Sequence, residues 1–168
     1  MVHVRGVSKL RKLWFGVTSV TDAGLAHLSA LHQLESLQMA YLHTTGASLQ
    51  HLQGLTQLQE LVLSEGQKTD AGLVYLKGLT RLRHLSLSGG QVTDAGLEYL
   101  KELTQLERLS LDDTKVTVQG VKNLRQTLPS CEIIWRPPAK DERQSQAAQA
   151  LAEPVAPGRP VARRACGT

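Results

Sequence analysis

Apolar residues recur along this chain in a rhythm of 24. Units cut at Leu10, Leu34, Leu58, Leu82 and Leu106 follow one another without a gap. Each opens L-x-x-L-x-φ, with φ apolar: Leu10/Leu13/Phe15, Leu34/Leu37/Met39, Leu58/Leu61/Leu63, Leu82/Leu85/Leu87 and Leu106/Leu109/Leu111. A threonine then holds the twelfth place of each unit, at Thr21, Thr45, Thr69, Thr93 and Thr117. Three apolar residues follow in steps of three, as in Leu25/Leu28/Leu31 and Leu97/Leu100/Leu103; in the last unit the final step lengthens, to Val121, Leu124 and Leu128. The opening alternation predicts a short strand with one buried face, and the stretch from about Asp22 to Leu31 predicts one helix of under three turns. Neither element buries its apolar side alone. Stacked coil on coil, the strands form a parallel sheet and the leucines a continuous interior.

The period organises the ends as well. Met1, Val4 and Val7 stand one full period before Leu25, Leu28 and Leu31, which predicts a partial N-terminal repeat over 1–9. At the other end "LPSCEIIW" predicts a sixth strand, with Cys131 and Ile134 in leucine places, and closes a solenoid over 10–135. The six letters VTDAGL fill both Val20–Leu25 and Val92–Leu97, with KTDAGL at Lys68–Leu73. On these residues the chain resembles leucine-rich repeat proteins of the short bacterial T-D-x-G-L type, itself similar to the repeats of eukaryotic F-box adaptor proteins. That resemblance covers roughly 1–135. It implies an α/β right-handed superhelix, a horseshoe with a parallel sheet on its concave face and helices on its convex face. The chain departs from it in two places. The position that often holds a ladder of asparagines carries Thr18, Leu42, Gly66, Gly90 and Thr114, so an internal side-chain ladder is expected to be weak. In addition, the second unit reads TTGASL (Thr44–Leu49) and loses the acid.

Three aspartates in identical settings, Asp22, Asp70 and Asp94, invite a catalytic reading. Catalytic carboxylates must converge on one bond, whereas a repeat spreads equivalent residues along an axis. A structural reading accounts for each letter. Threonine before an apolar-periodic run is a helix N-cap. The aspartate falls in the first turn, where the helix dipole favours negative charge. The Ala-Gly pair keeps the turn small enough for close packing.

Residues between the buried leucines are expected to line the concave sheet, the face with which such repeats commonly bind protein. Its central column runs Trp14, Gln38, Val62, Ser86 and Ser110; the column before it runs Lys12, Ser36, Glu60, His84 and Arg108. Beyond lie Ala40, Ser64, Ser88 and Asp112, flanked by Val17, Tyr41, Glu65, Gly89 and Asp113. Large aromatics dominate interface hot spots, so Trp14 and Tyr41 are the candidate anchors, with Val62 and His84 beside them. Trp14 has a second reading, as a cover over the open end of the core. Glu65, Asp112 and Asp113 favour a basic partner, or form an ordinary solvated edge. A convex column of His27, His51, Tyr75, Tyr99 and Asn123 brings no cysteine or carboxylate to its histidines, so half-exposed packing is expected there and no metal site.

Composition narrows the class of function. The 168 residues are 41% apolar and 20% charged, but only 4% aromatic, so leucine carries the apolar load. The net charge of +4 is uneven: residues 1–135 hold 13 basic against 12 acidic residues, and residues 136–168 hold 6 against 3. A broadly basic nucleic-acid-binding surface is therefore not indicated, and Arg159, Arg163 and Arg164 lack the aromatics that stack bases. No apolar run reaches the length of a membrane helix. The tail 136–168, rich in Pro, Ala, Gln and Arg, is expected to be disordered. Cys131 and Cys166 form neither a disulfide framework nor a metal spacing, and both are read as free thiols of a reducing compartment, the cytoplasm. Nucleophile elbow, P-loop and dinucleotide fingerprint are all missing. The expectation is a non-enzymatic scaffold without cofactor that binds another protein. Two alternatives are the substrate-recognition fragment of an F-box ubiquitin-ligase adaptor and the repeat part of a larger truncated protein.

Overall fold

The computed structural model describes residues 9–16, 21–40, 46–64 and 68–137. The expected partial repeat before Lys9 and the tail beyond Pro137 lie outside them. Six parallel strands, β1 (Lys12–Gly16), β2 (Ser36–Ala40), β3 (Glu60–Ser64), β4 (His84–Ser86), β5 (Arg108–Ser110) and β6 (Glu132–Ile134), pair strictly in chain order. Their register is the sequence period made visible. Leu13 faces Leu37, Leu37 faces Leu61, and the row continues through Leu85, Leu109 and Ile133. From Leu37 onward these side chains are buried, together with the helix-side leucines such as Leu25, Leu28 and Leu31, in one apolar cluster. Each fully buried leucine contributes about 1.5–3 kcal/mol relative to an exposed one.

Behind the sheet the expected single helix is divided. α1 (Asp22–Leu25) is one α-helical turn continued by a 3₁₀ segment at Ala26–Ala30. α2 (Asp70–Leu73) and α3 (Asp94–Leu97) likewise pass into 3₁₀ turns at Val74–Leu76 and Glu98–Leu100, and Gly46–Leu52 is 3₁₀ throughout. The leucine spacing explains the change. A 3₁₀ helix has 3.0 residues per turn and eclipses positions i and i+3, so leucines in steps of three stay in line. An α-helix would carry the third leucine about 120° off that line. Where the step lengthens, in Val121/Leu124/Leu128, the span from first to last nearly completes two α turns. There the chain forms its one long described α-helix, α4 (Val118–Thr127).

The extra residue of α4 is absorbed before β6. Cys131 is buried one place beyond a full period from Leu106, but the strand then returns to register, with Ile133 opposite Leu109. Ile133, not Ile134, therefore takes the leucine place, and Ile134 lies beside Ser110 on the open sheet face. Trp135 is buried in the place that the period assigns to the next residue of the Leu87–Leu111 row, and it closes the C-terminal end of the core.

A side-chain ladder does exist, on the helix side instead of the asparagine position. Asp70 Oδ1 accepts from the Thr93 N–H at 2.8 Å, and the Thr93 hydroxyl donates to Asp70 Oδ2 at 2.6 Å. Asp94 repeats both bonds to Thr117 at 2.8 and 2.6 Å. Because the carboxylate takes the hydroxyl proton, the hydroxyl oxygen is left to cap its own helix. Thr93 Oγ1 accepts from the Ala95 N–H at 3.2 Å, and Thr117 Oγ1 from the Gly120 N–H at 3.1 Å. Glycine is required where this carboxylate passes: a Cβ on Gly96 would overlap Asp70 Oδ1, and one on Gly120 would overlap Asp94 Oδ1. At the asparagine position itself, buried Thr114 turns inward and donates to its own coil at Leu111 O, 2.7 Å away.

Thr93→Ala removes a cap and a rung together, and is expected to lower stability by about 1–2 kcal/mol in urea denaturation. Gly96→Ala is expected to cost about 1–3 kcal/mol through overpacking. Combined with Asp70→Ala, its cost should be less than additive, since the clash leaves with the carboxylate. Strict additivity would remove the carboxylate from the explanation of this glycine.

Candidate protein-binding face

Alternation within each strand sends every second side chain away from the core and onto the open face of the sheet. Trp14 on β1 is 72% exposed, the largest apolar side chain so presented among the described residues. It therefore does not cover the end of the core; its ring extends over Gly16, where an added Cβ would sit 3.8 Å from Cζ2. Gln38 stands next in register, then half-buried Val62.

Glu60, beside Val62, is held by its neighbours: Ser36 Oγ donates to one carboxylate oxygen at 2.7 Å and Gln38 Nε2 to the other at 3.1 Å. His84 follows Glu60 in register and is exposed, with Nε2 3.8 Å from Glu107 Oε2. Arg108 Nε pairs with Glu132 at 2.9 Å. Coil-to-coil pairs one period apart also line the strand entrances, Arg11–Glu35 at 3.1 Å and Arg83–Glu107 at 2.8 Å. Being solvated, each contributes at most about 1 kcal/mol.

Toward the other end three serines are linked, Ser86 to Ser88 at 3.3 Å and Ser88 to Ser110 at 3.1 Å. Sequence reasoning misses this chain of hydroxyls, though serines at such close and near-period spacings on adjacent strands are its signature. Asp112 follows directly. Its Oδ1 is buried and has no hydrogen-bond partner among the described residues, while its backbone carbonyl accepts from Gly89 N–H at 2.9 Å. Gly89 and Asp113, equivalent positions of successive coils, turn the chain out of the sheet through left-handed conformations at φ 69° and 57°. Glycine adopts that region freely and aspartate tolerates it.

Of the six candidate binding residues, Trp14, Val62, His84 and Asp112 therefore share one face; Tyr41 and Glu65 lie outside the described residues. The structure does not gather them at one point. Four strand spacings separate β1 from β5, about 19 Å. Depressions of about 240 and 270 Å³, lined by Gln59/Arg81/Arg83/Gln105 and by Arg11/Gln33/Glu35/Gln57, fall short of the roughly 300 Å³ at which small-molecule sites begin. Among the described residues no group of three or more His, Cys, Asp or Glu is placed to hold a metal ion, and no helix is long and apolar enough to cross a membrane. The helix-side residues His27, His51, Tyr75 and Tyr99 are half-buried, with the Lys77 ammonium 5.4 Å from the Tyr99 ring centre.

Sequence comparison finds no matching family model and no curated relative. Comparison of folds does find matches. An internalin (inlF) from Listeria monocytogenes superposes with a TM-score of 0.67 at 24% identity, over 78% of this chain and 36% of its own. An internalin C2 (inlC2) from the same species gives 0.60 at 22%, over 84% of this chain and 68% of its own. A leucine-rich repeat protein of Leptospira interrogans gives 0.59 at 18%, over 79% and 38%. The fold is thus a leucine-rich repeat solenoid, and the chain spans little more than a third of the length of two of these three structures.

The free thiol of Cys131 is buried, and its pKa is pushed up to about 11, first by loss of solvation and then by the Glu132 carboxylate. A thiol so placed is a poor nucleophile at neutral pH. Folding favours its protonated form, so its stabilising contribution is whole below about pH 9 and is lost as pH rises toward about 11. The denaturation midpoint is expected to fall more steeply over that window in the wild type than in Cys131→Val. Parallel curves would show that the thiol does not set the slope.

Proposed function

We propose that the chain is a non-enzymatic scaffold that binds another protein on the concave face of its repeat sheet. Trp14 carries this reading: a large aromatic, 72% exposed, set on a sheet whose leucine row is buried from Leu37 onward. Exposed tryptophans are costly to leave in water and are over-represented at binding hot spots. The varied side chains around it, Val62, His84 and Asp112, together with Tyr41 and Glu65, complete the proposed contact set. Asp112, half-buried, adds negative charge that a basic segment of the partner would complement. A partner reaching from Trp14 to Asp112 spans about 19 Å and is macromolecular.

The proposed compartment is the cytoplasm, in keeping with a buried unpaired thiol at Cys131. The closer kinship proposed for the repeats, to the bacterial T-D-x-G-L type and through it to F-box adaptors, rests on the motif recurring in phase. A ligase-adaptor role would need F-box helices elsewhere in a longer protein.

The test is quantitative capture of binding proteins from the native source. Trp14→Ala combined with Val62→Ala is compared with Val74→Ala, which alters an exposed apolar residue on the helix side. Truncating a hot-spot tryptophan costs about 2 kcal/mol, so recovery should drop about 30-fold for the sheet-face variant and stay unchanged for the helix-side one. Equal recovery with both folded variants would move the binding face elsewhere.

A further inference from the structure

Two recesses of similar size lie along the edge where the chain enters the strands. One is lined by Arg11, Gln33, Glu35 and Gln57; the other is lined by Gln59, Arg81, Arg83 and Gln105, the same four places two periods further on. Their frame is shared. The carbonyls of Arg11, Glu35, Gln59 and Arg83 each accept two backbone N–H groups from the next coil, at 2.7–3.0 Å, so these side chains project from fixed points.

Their chemistry differs. In the first recess Arg11 Nη1 meets Glu35 Oε1 at 3.1 Å, and the charges cancel. The second is lined by two guanidinium groups and two carboxamides, without an acid. Arg83 spends one nitrogen on Glu107 of the next coil, at 2.8 Å. Arg81 donates to the neutral carboxamide of Gln57, and among the described residues no carboxylate meets it. Both arginines are exposed and keep most of their N–H donors, to which the Gln59 and Gln105 amides add more.

We propose that the recess at the entrances of β3 to β5 is an oxyanion site that takes a carboxylate side chain of the partner protein. The planar guanidinium fork matches a carboxylate, and with Glu107 counted against Arg83 the site has one positive charge to offer, enough for a monoanion. A volume of about 240 Å³ admits a single acidic side chain, though not a drug-sized ligand. Gln59 and Arg83 directly precede Glu60 and His84, so the recess borders the sheet face. Half-buried Asp112 and exposed Asp113 stand at the opposite rim, where the chain leaves the sheet. Rims of opposite sign would fix which way round a partner lies across the strands. That use rests on the proposed function; the affinity of the recess for a carboxylate does not.

The arginine Nε–Hε signals of the partner-free chain, followed by NMR during titration with sodium acetate at constant ionic strength, test it. Those of Arg81 and Arg83 should shift saturably, half-complete at or below about 50 mM, and that of Arg11 at least about threefold less. Arg81→Gln should raise the half-saturating concentration read at Arg83 by about tenfold, and Gln105→Glu, which sets an acid in the recess, should abolish saturation. Shifts that grow linearly, or that are equal at Arg11 and Arg81, overturn the inference, as does a folded variant that takes acetate like the wild type. Inorganic phosphate half-saturating at a concentration more than about tenfold lower than acetate would overturn the assignment to a carboxylate. No partner is present in this titration, so its failure and failure of the capture experiment are separate results.

Discussion

No coil of this protein can bury its leucines alone, and each is stable only against its neighbours. That constraint demands that successive coils return to the same axial register, which the period enforces from Leu37 against Leu61 to Leu109 against Ile133. It also governs chemistry. Equivalent side chains stand one strand spacing apart along the axis, and each repeated acid is committed to the next coil, Asp70 to Thr93 and Asp94 to Thr117. What the stack offers instead is an extended face whose positions can vary freely, because the residues between the leucines take no part in the interior.

The second fastening explains the rest of the repeated motif. Threonine is both cap and donor, aspartate joins one coil to the next, and glycine clears the carboxylate's path. The helix-side capping bond and the coil-to-coil bond share one hydroxyl, so the end of each short helix is coupled to the placement of its neighbour. Such coupling suits helices this short, which cannot persist on propensity alone. The last unit has Val118 in place of the acid and sends no rung onward; its own helix, α4, is held from the coil before by Asp94 through Thr117.

How much of this is legible in advance divides by range. The leucine rows and the strands are local patterns repeated in phase, and they stand where the period puts them; the threonine caps form at Thr93 and Thr117 but not at Thr21 or Thr69. Local reasoning assigns Asp70 and Asp94 to their own helix dipole, since the bond that matters joins each to the threonine of the next coil and nothing nearby announces it. The same distance hides the reason for Gly96. The 3₁₀ turns are legible in the steps of three, but a match to the 3.6 period subsumes them into one helix. Carrying the extra residue of α4 through into the strand misplaces Ile134. Of the candidate face, the columns through Lys12 and Trp14 stand in register as written, while Tyr41 and Glu65 lie outside the described residues; the exposure of Trp14 counts against its reading as a cover, and no sequence rule supplies that.

The internal satisfaction of the sheet face narrows where binding energy can arise. Glu60 already holds two donors, Arg108 holds Glu132, and the serines hold one another. A partner that engages these groups exchanges one hydrogen bond for another and gains little, so they act as selectors of shape and charge. The surplus lies at Trp14, an aromatic ring left in water, whereas Asp112 Oδ1 is buried where a partner's donor does not reach it. On the proposed reading, affinity comes from covering that ring, and the charges and hydroxyls along the rest of the face decide which partners can do so.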